Sequence, residues 1–166
     1  MENIERILNS LDVVSCIGDD KVGDFSLEQL SEELRLSTHE GDYVFLTRGH
    51  EGFESSCAEI LHRLKKLYPR TLCFAVKKYE DQKIYGEEFY DGVIFPPCLK
   101  DCDKSAIDRY FDDYFLKYSD FFICGQLDLN NDLLIEVVQS RRIYFEVGKE
   151  EKKLSCTWDE ILPQVF

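Results

Sequence analysis

Positive charge is scarce in this sequence: 20 Lys and Arg stand against 33 Asp and Glu, for a net charge of −13. Neutralising phosphates takes clustered Lys and Arg, so the deficit argues against a direct nucleic-acid surface or an anionic membrane surface. No stretch approaches the about 18 apolar residues needed to span a bilayer. The opening residues carry Glu2, Glu5 and Arg6 among apolar ones, so the apolar core of a signal peptide is missing. There is no internal repeat, low-complexity tract or linker. A second cysteine pair at metal-ligand spacing is also lacking. Cys98 and Cys102 form one C-x3-C, no second pair follows, and His62 and the other histidines are distant. Neither a metal nor a cofactor is expected. The cysteine count of seven is odd and no leader is seen, which points to reduced thiols and a cytoplasmic location.

What is present suits one globular domain over residues 1–166. Hydrophobic residues make up 44% of the chain, with 12 Phe and 9 Tyr, enough for a core without metal or disulfide. Apolar runs near 12–17, 43–47, 71–76, 92–95, 120–124 and 142–147 read as strands. They do not alternate with polar residues, which means burial on both faces and a mostly parallel sheet. Helical periodicity fills the spaces between them. Ile4, Ile7, Leu8 and Leu11 open the chain on one face. Ser26 and Gln29 form a capping box for a helix to about residue 36. Phe53, Cys57, Ile60, Leu61, Leu64 and Tyr68 make the clearest stripe, ended by Pro69. A helix over 103–118 carries Ile107, Tyr110, Phe111, Tyr114, Phe115 and Tyr118. Further helices are expected over 130–140 and, capped by Thr157 with Glu160, near the end of the chain.

The expected fold is therefore α/β, about six strands with helices on both faces. Ligands of such sheets bind beyond the carboxyl ends of the strands, where strand order reverses. The loop after the second strand, Arg48-Gly49-His50-Glu51-Gly52, runs straight into a helix at Phe53. Gly49 and Gly52 give backbone N–H groups room to approach an anion, and Arg48 and His50 add positive charge. The same two glycines would also suit a tight turn with a packing role. Cys57 sits on the apolar stripe and reads as core, His39 and His62 as surface.

The run FLTRGHEGFESSCAEILHRLKKLYP resembles the first glycine loop and helix of the SLOG superfamily, Rossmann-like domains that include DNA-processing protein A and the cytokinin-activating LOG proteins. A divergent, uncharacterised bacterial branch is most similar. Arg48, Gly49, Gly52, Glu54, Ala58 and Glu59 fall on its pattern. The stretches VKKYEDQ ending at Gln82, YDGVIF ending at Phe95 and YSDFFIC ending at Cys124 resemble its later strands, so the likeness runs from about 12 to 147. There are departures. Arg48-Gly49 replaces a Gly-Gly doublet, Phe111-Asp112 replaces an Arg-Asn pair, and Asn130-Asn131-Asp132 stands for Gly-Gly-Thr. Asp19 and Asp20 add negative charge next to the presumed phosphate.

The resemblance implies recognition of a nucleotide-like small molecule, with Gly18, Arg48, Gly49, His50, Gly52, Phe53, Glu54, Asn130 and Asn131 as ligand contacts. A LOG-type N-glycosidic hydrolase of nucleoside monophosphates is the alternative, with Glu54, Glu59 or Glu136 as the catalytic carboxylate. A second alternative is a degenerate acidic module that masks a basic partner. No nucleic-acid or membrane partner is expected. A homodimer seam through Tyr110, Tyr114 and Tyr118 is the expected route to self-association.

Overall fold

The computed structural model describes residues 2–19, 24–39, 41, 43–125 and 143–148. In chain order it holds α1 (Glu2–Ser10), β1 (Asp12–Ile17), α2 (Leu27–His39), β2 (Tyr43–Thr47), α3 (Phe53–Leu64), β3 (Leu72–Val76), a 3-10 turn (Glu87–Phe89), β4 (Gly92–Ile94), α4 (Pro97–Lys100), α5 (Ile107–Tyr118), β5 (Phe121–Cys124) and β6 (Ile143–Glu146). The six strands form one sheet in the order β4-β3-β2-β1-β5-β6. Every pairing is parallel; Val14, for instance, lies between Phe45 and Phe121.

Alternate residues of each strand feed two separate cores. Val13, Ile17, Val44, Leu46, Phe74, Val76 and Phe122 face α1, α4 and α5, whose contributions include Leu8, Leu99, Phe111 and Phe115. Val14, Cys16, Phe45, Cys73 and Ile123 face α2 and α3, which supply Leu30, Leu34, Phe53, Ile60 and Leu64. This explains why the strands read as unbroken apolar runs. The split also follows from handedness. From β1 to β3 the chain steps one way across the sheet, and from β4 to β5 it returns past β1. Right-handed crossovers must then put α5 on the face opposite α2 and α3. The reversal leaves a topological switch point between β1 and β5. There Ser15 Oγ and Ser119 Oγ, 104 positions apart, share a buried hydrogen bond of 2.5 Å.

Two stretches differ from the sequence reading. Pro96-Pro97 reads as the end of a strand, but Pro97 sits in the first turn of α4, where its missing N–H costs nothing. Residues 103–106, expected as helix, form a turn before α5 in which Ala106 N donates to Asp103 O. The expected helices over 130–140 and after Thr157 lie outside the described residues.

The tyrosine seam requires correction. Tyr114 and Tyr118 are 6% and 7% exposed, packed with Phe111 and Phe115 in the chain's own core. Only Tyr110, at 48%, stands out from α5. A stripe wide enough for a dimer face was instead wide enough to bury against the sheet. The six described cysteines are free thiols, and burial pushes the Cys57 and Cys73 thiols well up. Cys57 is core, as its place on the stripe requires. Among the described residues no helix is long and apolar enough to cross a membrane, and no three His, Cys, Asp or Glu side chains gather as metal ligands.

Candidate functional site

The loops at the carboxyl ends of β1, β2 and β3 meet around residues 18, 48 and 82. Two glycines give the β2 loop its path. Gly49 has φ +74° and Gly52 has φ +99°, a backbone region that side-chain-bearing residues rarely adopt. Ser55 closes the second turn by accepting from Gly52 N at 3.0 Å. Thr47 Oγ1 accepts from Gly49 N at 2.9 Å and meets the Tyr90 hydroxyl at 2.6 Å. Gln82 ties the β3 loop to this turn: its amide donates to Arg48 O at 3.0 Å and accepts from Lys78 N at 2.7 Å. Tyr85 N adds a 3.0 Å bond to Gly49 O.

This backbone path folds Glu54 back beneath Arg48. The Glu54 side chain is fully buried. Its carboxylate accepts from Arg48 Nε at 2.8 Å, from Arg48 Nη2 at 2.6 Å, from the Arg48 backbone N–H, and from Gly18 N at 3.4 Å. Arg48 Nη2 also reaches Gly18 O at 3.2 Å and Asp19 Oδ1 at 3.1 Å. Burial works against the Arg48 charge. Glu54, with Asp19 behind it, more than offsets this and holds the guanidinium above its ordinary range.

Several expected contacts take different places. Arg48 was expected to offer free charge to a ligand; it is instead 8% exposed and consumed by two carboxylates of its own chain. Phe53, expected at the ligand, is fully buried and stacks edge-on to Phe25, with ring centroids 5.2 Å apart. It forms the floor under Gly18, where a Cβ would fall 2.6 Å from Phe53 Cδ1. Glu59 is half-buried and paired with Arg63 at 3.4 Å, so it and Glu54 make no carboxylate pair. That follows from their spacing of five, which puts them on different helix faces. Gly18, Gly49, Gly52 and His50 do gather at this edge. Asn130, Asn131, Glu136 and Asp20 lie outside the described residues.

His50 is the exposed member of the group, its side chain 46% accessible and its Nδ1 3.7 Å from Glu54 Oε2. Burial, the largest influence, holds the imidazole below its ordinary value, and the Glu54 carboxylate pulls the other way without prevailing. His50 is therefore neutral at pH 7 and adds no charge, contrary to expectation. An NMR titration of its ring should give a midpoint below the ordinary value of about 6.5, and Glu54→Gln should lower it further. A midpoint above the ordinary value would show that Glu54 dominates. The sign for stability follows. Below about pH 6.5 the unfolded chain binds a proton here that the folded one resists, so His50 lowers stability as pH falls through that window.

Gln82, Tyr90, Thr47 and Lys78 were not picked out as site residues. All four lie within runs that resemble the family, Thr47 in FLTRGHEGF, Lys78 and Gln82 in VKKYEDQ and Tyr90 in YDGVIF, but no residue type or spacing marked them as contacts. Lys78 is ion-paired with Asp108 of α5 and lies within electrostatic reach of Arg48 and Asp112. A cavity of about 500 Å³ lined by Asp12, Val14, Leu36, Tyr43, Asp120 and Phe121 is at the opposite edge, at the strands' amino ends.

With six parallel strands among the described residues, helices on both faces and glycine turns at the carboxyl edge, this is a Rossmann-like α/β fold. Among solved structures it is similar to a molybdenum cofactor binding protein from the phototrophic bacterium Rippkaea orientalis (TM-score 0.57, 13% identity, 82% of this chain and 76% of that one). It is also similar to DNA processing protein A from Helicobacter pylori, described for its single-stranded DNA binding mode (TM-score 0.54, 14% identity, 96% and 75% covered). The molybdenum cofactor carrier protein of Chlamydomonas reinhardtii gives a TM-score of 0.50 at 11% identity, over 82% and 75% of the two chains. No family model and no curated protein sequence matches.

Proposed function

We propose that this domain recognises a nucleotide-like small molecule at the carboxyl edge of its sheet and does not hydrolyse it. The observation that carries the reading is the buried Arg48–Glu54 pair with Asp19 beside it, held between the ends of β1 and β2. Replacing a buried ion pair by apolar side chains of similar volume is often neutral or stabilising, so its presence at the edge where open α/β sheets bind ligands points to recognition. Asp19 and His50, at 42% and 46% side-chain exposure, form the accessible rim. The fold's neighbours give the reading context: two are described by a molybdenum cofactor and one by single-stranded DNA.

Hydrolysis fits less well. The Glu54 carboxylate is already held by Arg48 and the Gly18 N–H, which leaves it poorly placed as a general base, and Glu59 is turned to Arg63. A second reading, an acidic module that covers a basic partner, draws on the net charge of −13 and on Arg48 being tied to Asp19.

Calorimetry with nucleosides, mononucleotides, cyclic dinucleotides and a short single-stranded DNA tests the reading. One of the small ligands should bind saturably and be recovered intact. His50→Ala and Asp19→Ala should each weaken it by about 0.5–1.5 kcal/mol, the range for one hydrogen bond. If none binds at millimolar concentration the reading fails and the interaction module takes its place.

A further inference from the structure

The donors around Glu54 make an anion cradle. Two backbone N–H groups, those of Gly18 and Arg48 at adjacent strand ends, converge on one carboxylate with Arg48 Nε and Nη2. Two N–H groups of the glycine turn are also taken by this chain: Gly49 N by Thr47 Oγ1 at 2.9 Å and Gly52 N by Ser55 Oγ at 3.0 Å. We propose that Glu54 is a built-in occupant of this anion site and sets the ligand selectivity of the edge. A phosphate or carboxylate is refused at the Gly18 and Arg48 N–H groups, and a ligand there must present hydroxyl or amino groups to the rim.

Charge supports the same conclusion. Arg48 carries one positive charge and Glu54 and Asp19 two negative ones, His50 is neutral at pH 7, and the nearby Lys78 is offset by its own partner Asp108, so an incoming anion meets a net negative site. The guanidinium cannot turn to meet it without leaving a fully buried carboxylate unpaired. The accessible rim is the Asp19 carboxylate and the neutral His50 ring, groups that accept hydrogen bonds from sugar hydroxyls and exocyclic amines. The inference rests on the proposed function only for what the unaltered protein binds. The cradle itself is tested separately.

The test removes the occupant and offers a small one. The full chain with Glu54→Ala keeps both N–H groups and Arg48 but lacks the carboxylate. Formate and acetate are titrated into it at constant ionic strength, with chloride as the control. The Gly18 and Arg48 amide resonances should shift saturably, and the melting temperature should rise with the same dependence. Affinity should exceed any in the unaltered protein by about 10- to 100-fold, the gain for charge-assisted hydrogen bonds. Adding Arg48→Met should abolish the response. In the unaltered protein, inorganic phosphate should leave the same two amides in place. The proposal is overturned if those amides saturate with phosphate while Glu54 is present, or if Glu54→Ala responds to formate no more than the unaltered chain. Should Glu54→Ala not fold, the phosphate titration of the unaltered protein still decides. A protein that binds no nucleoside would end the functional reading and leave the formate result standing; a missing formate response ends this proposal whatever nucleosides do.

Discussion

Arg48→Met should destabilise the fold by about 3–5 kcal/mol, read as a lower midpoint of urea unfolding with the slope unchanged. Methionine keeps much of the aliphatic volume, so the loss is electrostatic. Glu54 would remain fully buried with only the Arg48 and Gly18 backbone N–H groups to hold its charge. Breaking a buried pair from one side strands a desolvated charge, and that costs far more than the intact pair contributes. The double variant Arg48→Met with Glu54→Leu should therefore be more stable than Arg48→Met alone. A loss below about 1 kcal/mol for the single variant would mean that solvent reaches Glu54 when Arg48 is gone, since exposed pairs are worth no more than that.

Gly18→Ala should cost about 2–3 kcal/mol, although it adds one methyl group. An ideal Cβ at Gly18 falls 2.6 Å from Phe53 Cδ1, 2.7 Å from Cγ and 3.0 Å from Cβ. The clash involves the root of the ring as well as its edge. Phe53 is fully buried and wedged against Phe25, so it cannot swing away without opening the core between the sheet and α3. Gly41→Ala is the control. Nothing lies within 4 Å of a Cβ there, and the change should stay within about 0.5 kcal/mol of neutral. Phe53→Leu should recover part of the Gly18→Ala loss. Equal costs at Gly18 and Gly41 would show that the Phe53 ring does not pack under the β1 turn.

The architecture was legible because its signals are local. Each strand is an apolar run with a turn or helix start beside it, and β1, β2 and β3 fall within a residue of where the runs place them. The glycine turn at the end of β2 was legible too, since a strand that ends in two glycines and enters a helix can be read directly. Its chemistry was not. Glu54 looks like a carboxylate in the first turn of a helix, where the dipole alone would favour it. Only the left-handed turns at Gly49 and Gly52 bring it under Arg48, and no periodicity encodes that reversal. The neutrality of His50 is equally invisible in sequence, because it depends on how far the folded chain withdraws the ring from water, which no local pattern states. The tyrosines of α5 failed as a seam for a related reason: a stripe states how much surface must be covered, not whether the cover is the same chain.

The strand order also governs how the chain is assembled at the ribosome. β1 lies between β2 and β5, and one flank of it is covered as soon as β2 has emerged. The other flank waits for β5, whose approach brings Ser119 to Ser15 across 104 positions. At about 5–20 residues per second that interval is roughly 5–20 s. Over that time the nascent chain builds the half-sheet β1 to β4 while Val14, Cys16 and Ile17 of β1 lie along an edge that β5 has yet to cover, the kind of edge that recruits another strand. Crowded translation of this message therefore favours pairing between neighbouring nascent chains at β1, and the arrival of β5 ends the exposure.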